Sequence, residues 1–183
     1  MRHPRIKTFY YEWPGTKSNH AGMAYFAKCL KKKLGLPFSL ICNSPSDFNK
    51  SNLAKHYARF TMPWIDCFFF MEYLSPIGKA SQEKIALRLR QWGFKKPMVA
   101  LVHLPESLLL KTYKLEYICS SLDLVDHIIV YGSSLANYLK RIGYASKVIQ
   151  TFHYVDTDYY YPIKEIKNNK FNVIFNGVLL RNI

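Results

Sequence analysis

LDLVDHIIVYGSSLANYLKRIGYASKVIQTFHYVDTDYYYP, residues 122–162, divides itself into elements by its chemistry. The apolar, β-branched run over 127–131 reads as a buried strand. Ser133 and Ser134 precede a segment, 134–142, in which Leu135, Tyr138, Leu139 and Ile142 share one helical face. Gly143 is the stop that such a helix needs, and 147–151 is a second apolar strand. A turn holding Asp156 and Asp158 follows, closed by Tyr159, Tyr160, Tyr161 and Pro162. Two strands joined through a helix form the unit from which parallel sheets are built.

The same alternation extends back to the amino terminus. Residues 6–13 are aromatic and β-branched and read as the first strand, followed by a turn-rich loop over 14–19. Met23, Phe26, Ala27, Leu30 and Leu34 recur at helical spacing over 22–34, and Gly35 and Pro37 end that helix. Further strands are expected at 38–42, 66–71 and 98–102. Further helices are expected at 51–60, at 82–92 and over 107–124 with a break near Lys114. In the 82–92 helix Ser81 is the cap, Ile85, Leu89 and Trp92 face inward, and Gly93 is the stop. The strands are continuous apolar runs without in/out alternation, the mark of strands buried on both faces. The expected fold is therefore α/β, a doubly wound, Rossmann-like parallel sheet with the first strand central.

A chain of 183 residues can bury a sizeable core and is too short for two full domains of this kind. Hydrophobic residues make up 49%, which argues against disorder. No apolar run approaches the ~20 residues of a membrane-crossing helix, and the first residues lack the apolar centre of a signal peptide. Cys29, Cys42, Cys67 and Cys119 are widely spaced, so free thiols in a reducing compartment are the expectation. The 26 Lys and Arg against 12 Asp and Glu give a net charge of +14, favouring anionic partners. The basic residues are dispersed, with no RNA-binding motif, so a dedicated nucleic-acid module is the weaker reading.

The 122–162 unit resembles the end of the N-terminal domain in GT-B glycosyltransferases of the glycosyltransferase-4 type. The matching residues are Tyr131-Gly132-Ser133-Ser134 and Val155-Asp156-Thr157-Asp158-Tyr159-Tyr160-Tyr161-Pro162, the latter similar to the family's GVDTDxFxP turn. The resemblance implies two Rossmann-like domains facing across a cleft, the first binding the acceptor and the second the nucleotide-sugar. On that basis residues 1–164 are the acceptor-side domain. Residues 165–183, with the polar stretch 163–170 and the apolar run 171–175, are the linker and first strand of a donor-binding domain. The expected function is sugar transfer from a nucleotide-sugar to an acceptor, with this half transferring poorly or not at all alone. The donor-binding groups would then lie on a separate domain or subunit. The alternatives are a non-catalytic binding module of the same fold and, behind it, a basic nucleic-acid-binding protein; fold alone does not choose.

Parallel sheets bind ligands beyond the carboxyl ends of their strands, which assigns four loops to one crevice: 14–22, 72–78, 103–107 and 132–134. Asn19, His20, Ala21 and Gly22 open a helix and are acceptor-binding candidates through free N–H groups, although the family has two glycines where this chain has Ala21-Gly22. His103 ends Pro97-Met98-Val99-Ala100-Leu101-Val102-His103, which resembles the family's PxVxxxH strand, and is the catalytic candidate, orienting the acceptor hydroxyl or moving a proton. Glu106 stands nearby, as a partner for that histidine or a helix cap. Ser133 and Ser134 are helix caps by type and cleft-facing residues by resemblance. Asp156 and Asp158 are read as shaping the crossover to the next domain.

No metal site and no bound cofactor are expected; the nucleotide-sugar enters as a substrate. The expected partners are a sugar or lipid-linked acceptor and, through Lys28, Lys31, Lys32 and Lys33 on one helix face, an anionic membrane surface. That face reads equally as a solvated one. A cytoplasmic location, peripheral at the inner membrane face, is the corresponding expectation.

Overall fold

The structure is a computed structural model in which residues 4–9, 59–75 and 82–152 are described. The described elements run in order β1 (Ile6–Phe9), a 3-10 turn (Met62–Trp64), β2 (Cys67–Phe70), α1 (Gln82–Gln91) and β3 (Met98–Val102). They continue with α2 (Glu106–Thr112), α3 (Leu115–Leu122), β4 (His127–Val130), α4 (Ser133–Leu139) and β5 (Val148–Gln150). The five strands form one sheet in the order β1-β2-β3-β4-β5, every pair parallel. The α/β class and the parallel sheet expected from the sequence are thus observed.

A sheet that grows in one direction through right-handed crossovers carries its connecting helices on one face. The register agrees. Phe68 pairs with Met98, Phe70 with Ala100, Ala100 with Ile128 and Val102 with Val130, so these residues share a face. All are buried in one core with Ile85 and Leu89 of α1, Leu109 of α2, Ile118 and Leu122 of α3, and Leu135 and Leu139 of α4. Phe9 stacks on Phe70 at 5.1 Å, and Phe94 meets Phe68 edge to face at 4.8 Å.

The opposite face carries Phe69, Val99 and Ile129, half-buried, and Leu101, buried. The helix expected over 22–34, which a doubly wound fold would place against that second face, lies outside the described residues. The strand expected at 38–42 does too, and with it the expectation that β1 is central; among the described strands β1 pairs with β2. The boundary between 1–164 and 165–183 also falls outside them, as do the 171–175 strand, Asp156 and Asp158, and the lysines at 28 and 31–33.

Local chemistry explains the element ends. α1 stops at Gly93, which takes φ +84, while its N–H donates to the Arg90 carbonyl and the Phe94 N–H to the Leu89 carbonyl. This pair of bonds satisfies carbonyls that the helix would otherwise leave open, and Phe94 folds back into the core. α2 and α3 are separated by Tyr113 and Lys114, both extended, at the break expected near Lys114. After α4 the helical path continues through Lys140–Tyr144 with a kink at Gly143, which takes φ +104.

The amino edge of the sheet is held by two carboxylates. Asp126 Oδ2 accepts from the Met98 N–H and from Arg90 Nη2, each at 2.7 Å. Asp66 Oδ2 accepts from the Arg5 N–H at 2.9 Å, which holds its carboxyl below the usual range, with further help from the Arg5 and Lys96 charges. Among the described residues no helix is long and apolar enough to cross a membrane.

Candidate functional site

Beyond the carboxyl ends of β3 and β4 an open cleft of about 500 Å³ lies between the loops that lead into α2 and α4. Each loop is short. β3 ends at Val102 and α2 begins at Glu106; β4 ends at Val130 and α4 begins at Ser133. Pro105 fixes the approach to α2 in extended geometry, and Gly132 does the same for α4. Two parallel βα turns side by side therefore present His103, Glu106 and Ser134 to one space.

The cleft has an apolar floor, to which Val102, Leu104 and Leu135 contribute, and a polar rim. Glu106 organises that rim. Its Oε2 accepts a hydrogen bond from Ser134 Oγ at 2.5 Å, and its Oε1 lies 3.6 Å from Arg141 Nη2. The Arg141 side chain is mostly exposed, so the ion pair is screened and weak. Tyr131 lines the cleft half-buried, and burial raises its phenol above the ordinary value. His103 is half-buried at the end of β3. The rim thus offers a carboxylate, hydroxyls and an imidazole over an apolar floor, a set suited to a hydroxylated ligand with one apolar face.

The structure brings together His103, Glu106 and Ser134 around the cleft. Asn19, His20, Ala21 and Gly22 lie outside the described residues. Ser133 is exposed in the first turn of α4 and does not line the cleft. The capping reading of the two serines is corrected. The N-cap is Gly132, it makes no side-chain cap bond, and Ser134 directs its hydroxyl to Glu106 on another helix. With Gly132 at the N-cap, Ser134 stands at the second helical position, from which its hydroxyl donates to the carboxylate.

Glu72, in the turn that leaves β2, was not singled out by its sequence context. Its side chain is buried, only 4% exposed, and burial pushes its carboxyl up to about 7. The signal available was an acid directly after the apolar run Cys67-Phe68-Phe69-Phe70-Met71, at the carboxyl edge where ligands bind.

Cys67 and Cys119 are free thiols. Burial pushes the Cys67 thiol up to about 11, which suits a packing role and opposes a nucleophilic one. Among the described residues no group of three or more His, Cys, Asp or Glu could hold a metal ion. No protein-family model matches the chain, and no curated protein matches it.

Proposed function

We propose that this chain is the acceptor-side domain of a sugar-transferring enzyme of the GT-B type. The observation that carries this reading is the meeting of His103, Glu106 and Ser134 around one cleft at the carboxyl ends of adjacent parallel strands. That is the edge at which open α/β sheets take their ligands. The resemblance of residues 97–103 and 131–134 to the family's acceptor-domain motifs supports the same edge independently.

In this reading the apolar floor holds the flat face of a sugar ring or the start of a lipid tail. Glu106, fixed by Ser134, accepts hydrogen bonds from ring hydroxyls. His103 faces the reacting hydroxyl, orients it and takes its proton as the oxygen bonds to the anomeric carbon of the donor sugar, whose bond to the nucleotide phosphate breaks so that the nucleotide leaves with that electron pair. The donor nucleotide-sugar is a substrate supplied from a facing domain, and it needs no metal ion from this half.

The test is equilibrium binding of octyl glycosides to the 183-residue chain in the absence of any nucleotide-sugar. Saturable binding that falls about tenfold in His103→Ala, the loss of one good polar contact, is the expected result. Equal binding by wild type and by a variant lacking both His103 and Glu106 side chains would remove the proposal.

A further inference from the structure

The turn that leaves β2 is fixed more tightly than a connecting turn requires. Four successive amides, 71 to 74, are all engaged. The Met71 N–H donates to the Phe9 carbonyl at 2.9 Å, and the Tyr73 N–H to the Leu101 carbonyl at 3.1 Å. The Glu72 N–H donates to Gln82 Oε1 at 3.0 Å, and the Leu74 N–H to Glu83 Oε1. Gln82 Nε2 in turn donates to the Phe9 carbonyl at 3.2 Å, so the first residue of α1 ties β1 and the turn together. Leu74 is held at φ +54, a left-handed conformation that costs a side chain of its kind.

This frame carries a group that packing does not favour. The Glu72 side chain is buried, and its Oε2 has no hydrogen-bond partner among the described residues. Burial is the cause of its raised titration. An uncompensated carboxyl in a strained, over-determined turn destabilises the fold, and such features concentrate where ligands bind. Glu72 also stands at the carboxyl edge of β2, next to β3, whose own carboxyl end carries His103.

We infer that Glu72 is a ligand-contacting residue of the crevice and that it takes a hydroxyl group of a neutral, polyhydroxylated ligand. A carboxylic acid presents one O–H donor and acceptor oxygens, and a hydroxyl presents the same pair in return. An anion would be repelled as soon as Glu72 ionised. A cationic ligand must approach a chain of net charge +14. A metal ion would need further ligands, and the described residues supply no such group.

That the hydroxyl belongs to a sugar rests on the acceptor-side reading above; that Glu72 binds a hydroxyl does not. Among the described residues the titratable neighbours are few. Glu83 on α1 is engaged with Leu74, His103 lies at the end of β3, and Lys7 on β1 is in register with Phe68, two residues before the end of β2 at Phe70.

Two measurements on the full chain decide it. The first is a ¹³C titration of the side-chain carboxyls with and without saturating methyl α-glucoside, methyl α-mannoside or methyl β-galactoside. Glu72 is expected to titrate near neutrality, and its midpoint to move when a glycoside binds. The second is saturation-transfer NMR with the same glycosides on wild type, Glu72→Gln and His103→Ala. Glu72→Gln keeps the shape, should melt no lower than wild type at pH 8, and should weaken binding about tenfold. Loss of binding in Glu72→Gln with His103→Ala unaffected supports this inference and overturns the cleft reading. Loss in His103→Ala with Glu72→Gln unaffected overturns this inference and leaves the cleft reading standing. No glycoside binding by wild type, with an ordinary Glu72 titration, overturns both.

Discussion

Ser134 Oγ donates to Glu106 Oε2 at 2.5 Å, and this one bond joins the first turn of α4 to the first turn of α2 across the mouth of the cleft. The two residues are 28 positions apart in the chain and sit on neighbouring βα turns. The bond sets which Glu106 oxygen remains for a ligand. It also limits how far the two loops can part.

Ser134→Ala should therefore change binding more than stability. Ser134 is exposed, so losing its bond should cost at most about 1 kcal/mol of folding free energy. A double-mutant cycle with Glu106→Gln, read by urea denaturation, should give a coupling energy of about 0.5–1 kcal/mol. A coupling energy of zero would mean that the two side chains do not meet in solution.

Glu72 should make stability fall as pH rises through neutrality. Burial raises its folded-state titration from 4.5 to about 7, so the folded chain holds a proton that the unfolded chain releases earlier. The sign is opposite to that of a paired carboxylate. Full stability is present below pH 4.5 for this group, is lost progressively between 4.5 and 7, and the deficit above 7 is on the order of 3 kcal/mol. Glu72→Gln should remove that slope and raise the melting temperature at pH 8. Parallel pH–stability curves for the two proteins would contradict the assignment.

Gly93→Ala tests the end of α1. No atom lies within 4 Å of the added Cβ, so the cost is backbone strain alone. At φ +84 it should be about 1–2 kcal/mol, seen as a lower urea midpoint with an unchanged slope. A neutral result would place the helix end elsewhere.

At the amino edge, Asp126→Ala removes the acceptor for both Arg90 and the Met98 amide. The ion pair is half-exposed and contributes little; the stranded amide at the start of β3 contributes more. The expected loss is about 1–3 kcal/mol. Binding at the opposite, carboxyl edge should be unchanged, which separates this stabilising clamp from the candidate site.

Much of the sheet was legible because its strands are apolar runs bounded by glycine, proline or polar residues. The strand expected at 98–102 is β3 residue for residue, and the helix break near Lys114 falls where two extended residues separate α2 from α3. The cap reading of Ser134 failed because a serine before an apolar stripe reads as a cap, and its actual acceptor is distant in sequence. Glu72 was not singled out because burial is a tertiary property: an acid after an apolar run marks the carboxyl edge but reads the same whether it is buried or solvated. Strand order, and hence which face the helices cover, follows from crossover geometry rather than from periodicity. The place of His103 at the carboxyl edge was legible because it directly follows an apolar strand, which needs no tertiary detail.

The central claim is that the cleft between the ends of β3 and β4 takes a sugar acceptor. The most direct measurement is a map of backbone amide shifts in the full chain as an octyl glycoside is added. The account predicts saturable changes concentrated at His103, Leu104, Glu106, Gly132 and Ser134, and their loss in His103→Ala. Changes scattered over the surface, or gathered at the amino edge around Asp66 and Asp126, would contradict it.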